Sequence, residues 1–380
     1  MLKNFTNFAI ATVSYWLIGS GFRNGPTPFI GVSNDGWFSV DDPTRMATQL
    51  QETMVCCLSV SIVSGAIACR FSFHAYMVLA FFFSAIIFPI SSSWVWGHGF
   101  LSAANGLGSI DLSGSGVIHL QGGIVAIVAC MFVGPRLGRF VTDPTTGKRV
   151  PATDFTGHSI VLTALGTLIL FFGWFGLNTS ASNGLSGTKY LVAGIASLNT
   201  LMAGSTGLLT GLLLTKLNDK SYNFWDVLNS TLAGLVAITS CSAVIGPGPA
   251  LGVGGLGAMT YYFTNKFVLS MGIDDVVGIF SVHGTPGMIG LVCAGLFARQ
   301  DYLDLAYGPG VITHRPGRQL GIQLLQLVAI VAWAVCTSSL VLWTLTKTVG
   351  IRVTAEDEIV GLDFKVSHNY WEHNMMDGGC

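Results

Sequence analysis

Two histidines, His119 and His283, lie inside long apolar runs, where an ionisable side chain is costly and has to face a cavity or another polar group. An aspartate stands eight residues before each (Asp111, Asp275), and a glycine four residues after each (Gly123, Gly287). The two runs then end at Arg136 and Arg299. Imidazole can donate and accept hydrogen bonds and can pass on a proton. Two of them on repeat-related helices in glycine-rich surroundings point to side chains that face a cavity or each other. A hydrogen-bonded structural pair is the plain alternative. A metal site is disfavoured: zinc takes three or four protein ligands, and no cysteine or midplane carboxylate stands near enough to supply the rest.

The elements that must hold these side chains follow from composition. The chain has 380 residues, 51% hydrophobic and only 10% charged, whereas a soluble protein carries roughly 25% charged residues. That excludes a soluble enzyme and a disordered chain, and a net charge of −1 argues against nucleic acid as a partner. An all-α polytopic membrane protein is left, since lipid demands that each segment satisfy its own backbone. Apolar stretches of about 20 residues predict ten spans, near 5–22, 49–69, 75–95, 115–133, 158–178, 190–215, 226–246, 251–270, 277–298 and 320–349. The first run, preceded by Lys3 and containing Gly19-Ser20-Gly21, has some features of a signal peptide. Its internal Tyr15-Trp16 favours a span. The eight cysteines sit mostly in apolar runs and form no Cys-x-x-Cys motif. They read as small hydrophobes.

An N-terminus on the cytoplasmic side puts twelve of the 18 Lys and Arg in the cytoplasm and six outside. It divides the chain into a membrane domain, 1–350, and a cytoplasmic tail, 351–380. The His119 and His283 spans are then five apart in order and cross in opposite senses, which is the arithmetic of an inverted repeat with its site near the midplane. Each histidine lies roughly 12 Å beyond its aspartate at 1.5 Å per residue. Five spans end with His283 but only four with His119, so symmetry predicts one further helix ahead of Met1.

Asp111-Leu-Ser-Gly-Ser-Gly-Val-Ile-His119, Gly173-Trp-Phe-Gly-Leu-Asn178, Leu232-Ala-Gly-Leu-Val-Ala-Ile-Thr239 and Val282-His-Gly284 resemble the ammonium transporter family, in its Amt/Mep branch. Gly361-Leu-Asp363 with Ser367-His368 is similar to that family's cytoplasmic tail. The resemblance implies an eleven-helix, pseudo-twofold protomer in the cell membrane, assembled as a homotrimer or with related subunits, with one pore per protomer and no cofactor. Met1 onward looks like the start of the family's second helix. By the same resemblance His119 and His283 line the pore, Trp96 caps an outer recruitment vestibule, and Asp111 shapes that site without touching the ion. Asn229 aligns with a small polar position there, with Trp225 one turn before it. Four positions depart from the family pattern: Gln51 and Val55 replace gate phenylalanines, Gly278 a carboxylate, and Cys69 a glutamate.

The function implied is transport, not enzymatic catalysis. Ammonium matches potassium in charge and is similar in size, but it has N–H donors and can lose a proton. An aromatic face attracts the cation by about 0.5–2 kcal/mol. Desolvation in an apolar passage then favours neutral ammonia, with the proton left behind or relayed separately. Glu52 is an acid the family pattern does not include, and it is expected at the vestibule edge. The departures also admit a second reading, a sensor or regulatory subunit of the same fold.

Overall fold

Inside lipid an amide can be satisfied only within its own segment, so each apolar run has to close its hydrogen bonds as a helix. The computed structural model describes residues 2–23, 25–32, 43–147, 149–152, 155 and 157–362. Lys148 and the tail positions Asp363, Lys365, Ser367 and His368 lie outside the described residues. All ten predicted spans are helices. Leu2–Ser14 runs on through a π-helical turn, Tyr15–Gly19, into Ser20–Arg23. Pro43–Ala66, Phe73–Trp96, Ser115–Val133, Ile160–Ser180 and Lys189–Asn218 follow. Phe224–Ile238, Pro247–Ser270, Phe280–Phe297 and Pro316–Thr348 complete the set. Seven of the described helices are long and apolar enough to cross a membrane. The first run is part of the core: Asn7 donates to the Ser61 hydroxyl at 2.9 Å and Tyr15 is fully buried.

One expectation is corrected, and two loops contain short elements of their own. The seventh helix stops at Ile238, eight residues short of its predicted end. Beyond it, the carbonyls of Thr239 and Ser240 take the amides of Ser113 and Leu112, so two non-helical segments satisfy each other within the protein. The loop 134–156 contains a short antiparallel hairpin, Phe140–Thr142 with Arg149–Pro151, in register Val141 to Val150. The loop 299–319 contains the helix Gln300–Tyr307.

Helix Ile160–Ser180 shows how these faces are chosen. Ser159 caps it by accepting the Leu162 amide. Its buried residues are Thr167, Trp174 and Asn178, spaced for one face, while Val161, Leu168 and Phe172 are exposed. A polar-inward, apolar-outward helix is at home against lipid or a second subunit.

The two histidine helices cross at their repeat-related glycines. A Cβ on Gly123 would lie 2.5 Å from the Gly284 nitrogen, and one on Gly287 would lie 2.6 Å from the Ser115 carbonyl oxygen and 3.1 Å from the Leu120 nitrogen. Residues 284 and 120 each follow a histidine. The crossing is thus twofold in kind, as the repeat predicts.

The end of the molecule near Asp275 is basic. Fully buried Arg70 donates to the carbonyls of Gly134, Ala66 and Asp274. The Asp274 carboxylate accepts from Arg136 Nε at 2.8 Å, Arg136 Nη2 at 2.9 Å and Arg139 Nε at 3.3 Å. After the helix Pro316–Thr348 the chain docks here, forming the short helix Ala355–Val360. Arg352 donates to Val133 O, Pro135 O and Glu358, and the Leu137 amide donates to Glu358. Burial alone would raise the Asp274 pKa, but the Arg136 hydrogen bonds and the charges of Arg136 and Arg70 hold it below the usual carboxylate value. A depressed folded pKa adds stability that is present above the unfolded value of about 3.9 and is lost as pH falls through the folded value. Unfolding midpoints in detergent are therefore expected to fall more steeply from about pH 5 to pH 3 for the wild type than for Asp274→Asn. Parallel acid limbs would contradict this.

Candidate functional site: a stacked histidine pair and a cavity lined by Trp96

Both histidines are presented by π-helical turns, Ser115–Leu120 and Phe280–Gly284. Such turns insert an extra residue and re-aim the side chains around it, often at functional sites. Each is set by the aspartate eight residues earlier. Asp111 Oδ2 accepts the amides of Gly116 and Val117 at 3.1 and 2.9 Å, and Asp275 Oδ2 accepts that of Phe280 at 2.7 Å. Three residues after each aspartate the chain turns at a glycine of positive φ, Gly114 (98°) and Gly278 (71°). This left-handed turn gives a backbone reason for glycine at position 278.

The result brings His119 and His283 together. Their Nδ1 atoms lie 3.2 Å apart, and their rings stack at 5.1 Å with 16° between planes. His119 stacks in turn on Trp174 at 5.3 Å, and Trp174 Nε1 donates to Thr239 Oγ1 at 2.9 Å. Two Nδ1 atoms in hydrogen-bond contact can share only one proton between them, so in the neutral pair one ring keeps its proton on Nε2. His119 is fully buried, and its Nε2 meets no partner among the described residues.

A cavity of about 460 Å³ lies at the Asp111 end. Its wall includes Trp96, Gln51, Glu52, Val55, Leu177 and Ser180. Trp96 Nε1 donates to the Asp111 carbonyl at 2.7 Å, and its ring covers Gly114. Gln51 Nε2 reaches the carbonyl and hydroxyl of Ser180, each at 3.3 Å. Leu177 follows Trp174 by one helical turn, so a single face of one helix leads from the cavity wall to the histidine stack. Asp111 itself is fully buried and does not line the cavity. Among the described residues no group of three His, Cys, Asp or Glu side chains could hold a metal ion.

Asn229 and Trp225 are not part of this constellation, which corrects their expected place. Asn229 Nδ2 donates to the Tyr261 hydroxyl at 3.1 Å and the Val277 carbonyl at 3.4 Å. The Trp225 ring covers Gly157. Both sit at the start of Phe224–Ile238, whereas the far end of that helix meets Ser113. Ten residues of helix separate Asn229 from Thr239, about 15 Å.

The structure adds several residues to the site. Trp174, within Gly173-Trp-Phe-Gly-Leu-Asn178, is the stacking partner of His119. Gln319, Gln323 and Gln326 fall at i, i+4 and i+7, one polar face of an apolar helix. They strap the segment ahead of His119 through Gly108 O, the backbone of Ile110 and Asp111 Oδ2. That stripe was a readable signal. Arg23, which pairs with Glu52 in the cavity wall, had no sequence signal of its own.

A sequence profile described as the Ammonium Transporter Family matches residues 1–370. The chain belongs to the ammonium transporter family. It is 34% identical over 377 residues to ammonium transporter Amt2 of Archaeoglobus fulgidus, covering 96% of this chain and 78% of that protein. It is 33% identical over 389 residues to ammonium transporter 1 member 1 of Arabidopsis thaliana, covering 96% of this chain and 76% of that one. A solved structure described as Sensor Amt Protein matches with a TM-score of 0.83 at 30% identity, over 95% of this chain and 88% of the other. Saccharomyces cerevisiae Mep2, at 23% identity, shares the fold with a TM-score of 0.78, over 93% of this chain and 79% of its own. Membership of the ammonium transporter family agrees with the apolar helices in making this a multi-pass membrane protein.

Proposed function

We propose that this chain carries ammonium across the cell membrane, and that the observation carrying the proposal is the stacked pair of His119 and His283, with His119 Nε2 unpartnered among the described residues, reached along one helix face from a cavity that Trp96 lines. The cation is recruited in the cavity against the Trp96 face. It leaves its proton before the apolar stretch, because a bare cation there faces a desolvation cost that neutral ammonia escapes. His119 Nε2 offers ammonia a hydrogen-bond partner, and the shared Nδ1 contact leaves one ring's Nε2 as a donor and the other's as an acceptor. Either ring can also carry the released proton. Val55 and Gln51 replace bulky gates with a smaller and a polar side chain. The Lys and Arg distribution, with Arg70, Arg136 and Arg139 at the Asp275 end, supports an outward-facing cavity and a cytoplasmic tail. Through the family resemblance, the assembly is proposed as a trimer of this chain or of this chain with related subunits.

The likeness to Sensor Amt Protein favours one second reading, a fold that binds ammonium and conducts poorly. Uptake of labelled methylammonium by cells lacking their own ammonium transport separates the two. The transport reading expects uptake above that of cells without the chain. No uptake from correctly inserted protein would favour the sensor.

A further inference from the structure

Arg23 and Glu52 form an ion pair in the cavity wall, with side chains only 10% and 8% exposed. Tyr15, fully buried, donates its hydroxyl to the other Glu52 oxygen at 3.2 Å. The partners come from different spans. Arg23 closes Ser20–Arg23, and Glu52 stands in Pro43–Ala66 between Gln51 and Val55, which line the same cavity. Burying two charges is costly, and removing one partner strands the other. Such a pair therefore needs a reason beside a site that receives a cation. An unpaired carboxylate would attract potassium and ammonium alike, because Coulomb attraction depends on charge and distance and not on N–H bonds. An unpaired guanidinium would repel both.

We propose that Arg23 is a tethered cation that occupies the Glu52 carboxylate and so sets the affinity and the ion selectivity of the cavity. With the carboxylate engaged, the pair contributes no net charge. Attraction falls to the Trp96 face and to neutral acceptors in the wall, such as the Ser180 hydroxyl. Acceptors fixed at hydrogen-bond spacing suit an ion that donates N–H bonds. They replace the water shell of a bare metal ion poorly. This inference rests on the ammonium-recruitment reading of the cavity and names the residues that tune it.

The test compares wild type, Arg23→Gln, Glu52→Gln and the double variant in proteoliposomes, with uptake scaled to the amount of folded protein on size exclusion. Arg23→Gln is expected to lower the half-saturation concentration for methylammonium roughly fivefold and to make potassium a competitor, because one repelling charge has gone. Glu52→Gln is expected to raise it by a similar factor, and the double variant to return near wild type with potassium again ineffective. A purely structural pair would reduce folded protein in both single variants and leave half-saturation and potassium response unchanged; that result would overturn the proposal. Tryptophan-fluorescence titrations of detergent-solubilised protein with methylammonium and potassium read the same shifts without transport. Binding shifts without uptake would overturn the transport reading and leave the role of Arg23 standing. Uptake without the shifts would do the reverse.

Discussion

Gly123→Ala is expected to leave little correctly folded protein. The added Cβ would stand 2.5 Å from the Gly284 nitrogen and 2.7 Å from its Cα, both backbone atoms that no rotamer change can move aside. The helices carrying His119 and His283 would have to separate, and the Nδ1 contact at 3.2 Å would open with them. Overpacking of a tight core commonly costs about 1–3 kcal/mol, and a backbone clash belongs at or above the upper end. Gly287→Ala, against Ser115 O, should behave alike. Gly173→Ala and Gly176→Ala meet nothing within 4 Å. As changes in open space on a helix they should alter stability by no more than about 1 kcal/mol. Size-exclusion profiles and unfolding midpoints in detergent distinguish the two groups. Equal tolerance at all four positions would contradict the crossing geometry.

Asp111→Ala should be the most damaging change made at the segment that presents His119. One buried oxygen, Oδ2, accepts from the Gly116 amide, the Val117 amide and Gln326 Nε2. Alanine strands three buried donors at about 1–3 kcal/mol each, while Asp111→Asn keeps an acceptor oxygen of the same shape. Unfolding midpoints should fall in the order wild type, Asn, Ala, with loss of uptake in the same order. If Ala and Asn fell equally, the charge and not the hydrogen-bond strap would be the important property. Gln326→Leu should weaken the same strap by removing one of the three donors, a milder change than Asp111→Ala.

Much of this was legible in the sequence because it is linear. Apolar windows mark spans, and the spacing Asp111–His119–Gly123 against Asp275–His283–Gly287 marks both the inverted repeat and the pair it brings together. Depth along a helix was the weak point. Motif similarity placed Asn229 in the outer vestibule, yet counting spans from a cytoplasmic N-terminus already puts residue 229 at the inner start of the seventh. In the structure Asn229 stands against Tyr261 and Val277, away from the cavity that Trp96 lines. The Arg23–Glu52 pair was out of reach for another reason. It joins two spans through 29 residues of chain, and no periodicity in either helix announces the partner. The early end of the seventh helix was hidden likewise, because residues 239–246 are apolar enough to continue it and stop only for a partner more than a hundred residues away.

The central claim, that a twin-histidine passage carries ammonium as ammonia, is tested most directly by the purified chain in proteoliposomes. The measurement is the initial rate of labelled methylammonium uptake by wild type, His119→Ala and His283→Ala, each matched for folded protein. Uptake by the wild type is expected, with a loss of about tenfold or more in each variant, the rate equivalent of one missing hydrogen bond of about 1.4 kcal/mol in the passage. Wild-type uptake unchanged by both substitutions would contradict it, as would a correctly folded wild-type protein that takes up nothing.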